Sequence, residues 1–392
     1  MKKINFTIFL LLIITLSSFA KDKKYKLPGI GVYHMHPDTE IYLGSPSIIV
    51  LEDGTYVATM DKFGAKVRES EKPTQTLVFR SKNKGKSWKH ISTLENSFWG
   101  NLFLFKNELY LMGTSGGYGD LLIRKSLDGG KTWTEPKDKN TGLLRQDEQY
   151  HTAPVPVVIH NGRIYRAIED RNPPEEWGVN FRAMVISAPV DSDLLKASSW
   201  ETSNRIRYNP DWKGKAWLEG NVVVNPEGQV VNIMRNEISD KGPGRACLLK
   251  VSDDGKKISF DPETGFINMP GGSTKFTIRF DGKTNKYWSV ANYIPEEWVG
   301  IRPNPGGMRN TLALISSKDL YNWEVERVLI KHKDFKNVGF QYPDWQFDGK
   351  DIVTLIRTAY PEPDGTPAHN FHDSNYMMFY RVKNFRKNKK TK

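Results

Sequence analysis

Residues 126–133 read SLDGGKTW, and this stretch identifies the architecture. A hydroxyl residue is followed two positions on by an acid, then by paired glycines and a closing tryptophan. In such a turn the carboxylate closes on backbone N–H donors, glycine takes a φ > 0 conformation, and the indole packs beneath the hairpin. Upstream, the pattern returns as SKNKGKSW at residues 81–88. Weaker copies are Ser252-Asp253-Asp254-Gly255 and the stretch from Ser317-Lys318-Asp319 to Trp323. Recurrence at domain-fraction spacing is the mark of a repeat architecture.

The flanking sequence supplies the rest of the repeat. Apolar strand, glycine or polar turn, apolar strand is the form at residues 45–60, 101–113, 153–168, 219–235, 275–292 and 339–357. Each is followed by a second hairpin, at 77–88, 121–133, 183–200, 246–260, 311–323 and 376–385. The period is thus four strands in roughly 50 to 65 residues, the length of a propeller blade. The predicted fold is all-β, a single β-propeller of four-stranded blades, with six repeats counted and room for a seventh. Residues 45–386 form the propeller, and residues 21–44 precede it as a segment suited to closing the last blade.

Composition agrees and narrows the classes. The 392 residues hold 11 Trp and 16 Tyr, which a disordered chain lacks, and a single Cys, which excludes an internal disulfide and a Cys-based zinc site. Residues 1–20, MKKINFTIFLLLIITLSSFA, have the basic start, short apolar run and small residues of a secretory signal, so a periplasmic or secreted monomer without membrane insertion is expected. The basic tail, residues 387–392, accounts for part of the net charge of +12.

The remaining positive charge points to a ligand. In a propeller the inner strand of each blade faces the central channel, so polar residues at its ends converge. Tyr150 and His151 enter the third repeat, Glu219 opens the fourth, and His36 precedes the first; these are the candidates for catalysis. Arg166, Arg235, Arg309, Arg357 and Lys275 are the candidates for binding substrate, since guanidinium forks pair with carboxylates and sulfates. Nucleic-acid-binding motifs are absent, so an acidic oligosaccharide is the expected partner. No cofactor is required. The segment HNFHDSN at 369–375 offers two or three ligands for a structural divalent cation, although it has no fixed metal pattern.

With the turn motifs, Glu219, Arg235, Arg309 and Arg357 in view, the chain resembles the sialidase-like Asp-box (BNR) propeller superfamily. Ser45-Pro46-Ser47-Ile48 stands where true sialidases carry Arg-Ile-Pro, so their arginine triad is incomplete here. YLGSPSIIVLEDGTYVA (42–58), YHTAPVPVVIHNGRIYRAIE (150–169), WLEGNVVVNPEG (217–228), RNTLALISSKDLYNWEV (309–325) and FQYPDWQFDGKDI (340–352) look like the secreted bacterial propellers related to the α-L-rhamnosidase and rhamnose-glucuronate lyase family. The resemblance implies attack on rhamnose-uronate linkages, as in ulvan or arabinogalactan, with a histidine as main catalytic residue. Where such relatives often have Ser-His-Asp, this chain has Thr59-Met60-Asp61.

These residues suit β-elimination at a uronic acid, by a lyase or a dehydratase. Arginines neutralise the carboxylate, His151 or Tyr150 removes the neighbouring proton, and the leaving oxygen is protonated. Hydrolysis by paired carboxylates would fall to Glu169 and Glu219. An α-L-rhamnosidase-type hydrolase using His36 or His151 and a non-catalytic glycan-binding propeller are the alternatives.

Overall fold

The computed structural model describes residues 25–70, 72–212, 214–238 and 242–387. The signal read at residues 1–20 and nearly all of the basic tail lie outside these residues.

Strands alternate their side chains, so a strand apolar on both faces can feed two interfaces at once. Blade three shows the consequence. Ile164 and Ile168 join Met112, Leu121 and Phe103 of blade two, whereas Tyr165 and Ala167 join Trp217, Val222 and Met234 of blade four. Equivalent buried clusters lie between blades four and five, five and six, six and one, and one and two. Six blades with six apolar interfaces form a closed ring; an open row would have one interface fewer.

Within each blade four antiparallel strands run outward from the axis. Blade one is Tyr42–Val50, Tyr56–Phe63, Gln75–Ser81 and Lys89–Glu95. Blade six is Gly339–Asp348, Asp351–Ala359 and Tyr376–Val382, completed on the outside by the N-terminal strand Ile30–His34. The first and last described strands are thereby paired in one sheet. Blades two and three share a continuous sheet, because Leu143–His151 pairs first with Gly119–Ser126 and then, through Gln149, Tyr150 and His151, with Arg163–Arg171. The inner strand of blade three resumes only at Val158–His160, since Pro154 and Pro156 cannot donate to a ladder.

The SLDGGKTW turn has the expected chemistry. Asp128 Oδ1 accepts the Lys131 and Thr132 N–H groups at 2.9 Å each, Ser126 Oγ accepts Gly130 N–H at 2.8 Å, and Trp133 Nε1 donates to Gly130 O at 3.0 Å. These turns also dock on the preceding blade. Gly85, at φ 83°, sits where a Cβ would run into the Phe379 ring of blade six. Glycine is required there by both conformation and space.

A second recurring feature lies at the axis. The inner strands of blades one, two, four and six each carry a bulge, and a non-glycine residue in each adopts positive φ: Ser45 (49°), Trp99 (54°), Glu219 (58°) and Tyr342 (54°). Each is followed by Pro or Gly and then by a polar residue that ties neighbouring inner strands together. Ser47 Oγ donates to Asp344 Oδ2 at 2.9 Å and accepts Leu102 N–H at 2.9 Å, and Asn221 Nδ2 donates to Phe276 O at 3.1 Å. Left-handed conformations cost about 1–2 kcal/mol for such residues, so these four inner-strand positions are held by the contacts around them against local preference.

Candidate active site

The bulges at Glu219 and Tyr342 bring blades four and six together across the axis. The Tyr342 hydroxyl donates to Glu219 Oε1 at 2.7 Å, and Arg235 Nη1 donates to Oε2 at 3.1 Å. Arg235 is held in turn by Glu237 Oε2 at 2.7 Å and Ser273 O at 3.0 Å. Burial alone would raise the Glu219 carboxyl, but the Arg235 charge and the Tyr342 hydroxyl outweigh it and hold the group below its ordinary value. Burial and the adjacent carboxylate push the Tyr342 phenol up, with Arg235, Arg309 and Arg357 pulling the other way. A phenol in contact with a charged carboxylate can pass its proton along that hydrogen bond when oxygen bonds to an electrophile.

Arg309 and Arg357 complete this level. Their guanidinium carbons lie 5.7 and 5.0 Å from the Tyr342 ring centre. Arg309 donates to Gly306 O at 2.7 Å and to Gln341 Oε1; Arg357 donates to His372 O at 2.6 Å and Ser374 Oγ at 3.3 Å. Every one of these partners is neutral, in contrast to the two carboxylates on Arg235. Burial lowers the Arg357 guanidinium to about 10. Two buried cations without a carboxylate between them favour an anionic ligand.

The opposite wall is built around His151. Its Nδ1 lies 3.3 Å from Glu169 Oε2, and Glu169 Oε1 accepts Gly220 N–H at 3.2 Å, which couples this wall to the residue after Glu219. The imidazole stacks on Phe181 at 4.4 Å and meets the edge of Trp99 at 5.2 Å. Tyr118 and Trp177 extend the wall outward and are 39% and 45% exposed, with the Arg171 guanidinium 4.6 Å from the Tyr118 ring centre. Asp61 sits behind it, accepting Trp99 N–H at 2.7 Å and the Thr76 hydroxyl at 2.5 Å; burial raises its carboxyl to about 7.

Of the residues singled out from sequence, His151, Glu219, Arg235, Arg309 and Arg357 share this region. Tyr150 does not. It packs in the core between blades two and three, with its hydroxyl on Asp147 Oδ1 at 2.8 Å, because neighbours on a strand face opposite ways and His151 takes the channel side. His36 caps the short helix Pro37–Thr39 through Nδ1 and pairs with Asp38. Arg166 and Lys275 are fully buried in the channel, where they meet Ala153 O, Thr277 Oγ1 and Pro343 O. In the HNFHDSN segment His372 pairs with Asp373 at 2.9 Å while His369 bonds Tyr42, and among the described residues no group of three or more His, Cys, Asp or Glu is placed to hold a metal. Tyr342 is absent from the sequence candidates. What marks it is structural: it takes the same positive-φ place in the inner-strand bulge of blade six that Glu219 takes in blade four and Ser45 in blade one.

The fold is similar to solved structures of several sugar-processing proteins. An α-L-arabinanase of Penicillium chrysogenum complexed with arabinobiose is 14% identical, with a TM-score of 0.57 over 92% of this chain and 99% of that one. A point mutant of an α-L-arabinofuranosidase from Fusarium graminearum, in complex with an iminosugar inhibitor, is 12% identical, with a TM-score of 0.56 over 91% and 98%. A Trypanosoma rangeli sialidase in complex with sialic acid is 15% identical, with a TM-score of 0.55 over 92% of this chain and 58% of that one. No curated protein matches by sequence. Residues 99–354 match the BNR repeat-like domain model, and the chain belongs to that family.

Proposed function

We propose that the protein is a secreted glycoside hydrolase acting on an anionic glycan, with Tyr342 as nucleophile and Glu219 as the base that receives its proton. The carrying observation is the 2.7 Å hydrogen bond from Tyr342 to Glu219 beside Arg309 and Arg357, two guanidinium groups that have no carboxylate partner among the described residues. A neutral hydroxyl approaches an anionic sugar without the repulsion that a bare carboxylate would meet, and tyrosine nucleophiles are an established departure from the two-carboxylate scheme.

The steps follow from the geometry. Arg309 and Arg357 hold the sugar's carboxylate or sulfate. Tyr342 Oη bonds to the anomeric carbon as its proton passes to Glu219, and the glycosidic bond breaks. His151, oriented through Nδ1 by Glu169, gives a proton to the leaving oxygen. Water then attacks the anomeric carbon and passes a proton to His151, the bond from that carbon to Tyr342 Oη breaks, and the departing phenolate recovers its proton from Glu219. Trp177 offers a stacking face to a neighbouring sugar ring.

The similar folds of the arabinanase, the arabinofuranosidase and the sialidase support hydrolysis over elimination. Elimination also loses Tyr150, one of its two candidate bases, to the core. Product analysis on uronate-rich oligosaccharides such as ulvan or arabinogalactan fragments, beside neutral and sialylated ones, tests the reading. Saturated reducing sugars from anionic substrates are expected. Unsaturated uronate products would replace it with the lyase, and release from neutral rhamnosides alone would replace it with the rhamnosidase.

A further inference from the structure

Arg166, Lys275, Arg279 and Asp344 form a second polar group in the channel that the proposed reaction does not use. Arg166 reaches it from the second strand of blade three, beside the interruption of the inner strand at Pro154 and Pro156. It is 0% exposed; Nη2 donates to Ala153 O at 3.2 Å, and Nε and Nη1 have no partner among the described residues. Lys275, also fully buried, donates to Thr277 Oγ1 at 2.8 Å and Pro343 O at 3.0 Å, which leaves one N–H free for a further acceptor. Arg279 donates to Trp345 O at 2.6 Å and lies 3.4 Å from Asp344 Oδ1.

The charges do not balance. Three cations, Arg166, Lys275 and Arg279, face two carboxylates, Asp344 and Glu169, which leaves one positive charge in excess; Asp344 Oδ2 accepts the Ser47 hydroxyl and Ile48 N–H, both at 2.9 Å. Glu169 is hydrogen-bonded to His151 and Gly220 and makes no direct hydrogen bond to Arg166. Water can satisfy hydrogen bonds here but cannot neutralise charge, and unpaired buried charge is expensive.

We propose that Arg166 and Lys275 form a binding site for a small monovalent inorganic anion of the halide class inside the channel. One negative charge offsets the excess, and a single spherical acceptor serves the free N–H groups of both residues without a large cavity. Burial and the neighbouring Arg279 and Arg166 charges lower the Lys275 amine to about 8, and a bound anion would act in the opposite direction. A cleft of about 610 Å³, walled by Val158, Val222, Ile278, Phe280 and Phe347, has Arg279 on its lining.

Anomalous diffraction from crystals grown in sodium bromide tests the site on the unaltered protein. A bromide peak within hydrogen-bond reach of Arg166 Nη1 and Lys275 Nζ is expected, and its absence from the channel would overturn the proposal. Thermal unfolding in gluconate buffer titrated with bromide at constant ionic strength gives a second readout. The midpoint should rise saturably, and Arg166→Met should abolish the rise; an equal rise in the variant would contradict the assignment. Should that variant fail to fold, Lys275→Gln replaces it under the same criterion.

Discussion

The hairpin turn at Asp128 and the channel mouth at Glu219 both concentrate polar residues, yet they use them in opposite ways. In the turn every donor is spent locally: two backbone N–H groups and the Ser126 and Thr132 hydroxyls all meet Asp128. At the mouth a left-handed Glu219 and a left-handed Tyr342 are joined across the axis, while Arg309 and Arg357 are left with neutral partners only. Self-sufficient polarity stabilises a fold. Polarity left incomplete and paired with backbone strain is built for something that arrives from outside.

The contrast is broken most severely by Tyr342→Phe. The ring remains to pack against Arg357, so the fold should persist, while kcat on an anionic glycoside should fall by about 10³-fold, or roughly 4 kcal/mol of transition-state stabilisation. Unfolding midpoints and kinetics measured together separate the two effects. A variant retaining full turnover would remove Tyr342 from the reaction.

Gly85→Val tests the turn side. A branched side chain at φ 83°, with its Cβ driven into the Phe379 ring, should cost about 2 kcal/mol or more of stability by denaturant titration and leave the KM of the folded fraction unchanged. Arg357→Met is the milder test of the mouth. It should raise KM for anionic substrates by about 10- to 100-fold, some 1.4–3 kcal/mol, and leave neutral analogues unaffected.

The smallest effect separates two aspartates by pH. Hydrogen bonds from the Thr132 and Lys131 N–H groups and from the Thr132 and Ser126 hydroxyls overcome burial and lower Asp128 to about 2, so its contribution is present above its unfolded pKa of about 4 and is lost as pH falls towards 2. Burial raises Asp61 to about 7, so the folded state holds that proton more tightly and stability is lost as pH climbs from about 4 through 7. Thermal unfolding of Asp61→Asn should therefore show a gain at about pH 8 that vanishes at about pH 4. Asp128→Asn should differ from the parent above about pH 4 and converge with it near pH 2.

The propeller is legible in the sequence because its signals are local. SLDGGKTW fixes a turn by itself, and strands apolar on both faces predict two buried faces. The site is legible only in part because it is assembled from blades four and six across the axis, which no local pattern records. Tyr342-Pro343-Asp344 shares no residue type with Glu219-Gly220-Asn221, although the two bulges have the same shape. Tyr150 stands beside His151 in sequence, yet strand alternation lets only one of such a pair face the channel. Arg166 and Lys275 read as substrate ligands from charge alone, whereas their depth emerges only once the inner strands are in place.

Mass spectrometry of the intact protein, quenched during turnover of a fluorinated anionic glycosyl donor, puts the assignment of the nucleophile to its sharpest test. Hydrolysis through Tyr342 predicts a single glycosyl adduct on the peptide containing that residue, absent from Tyr342→Phe. An adduct on Glu219 or Glu169, or turnover with unsaturated product and no adduct at all, would contradict it.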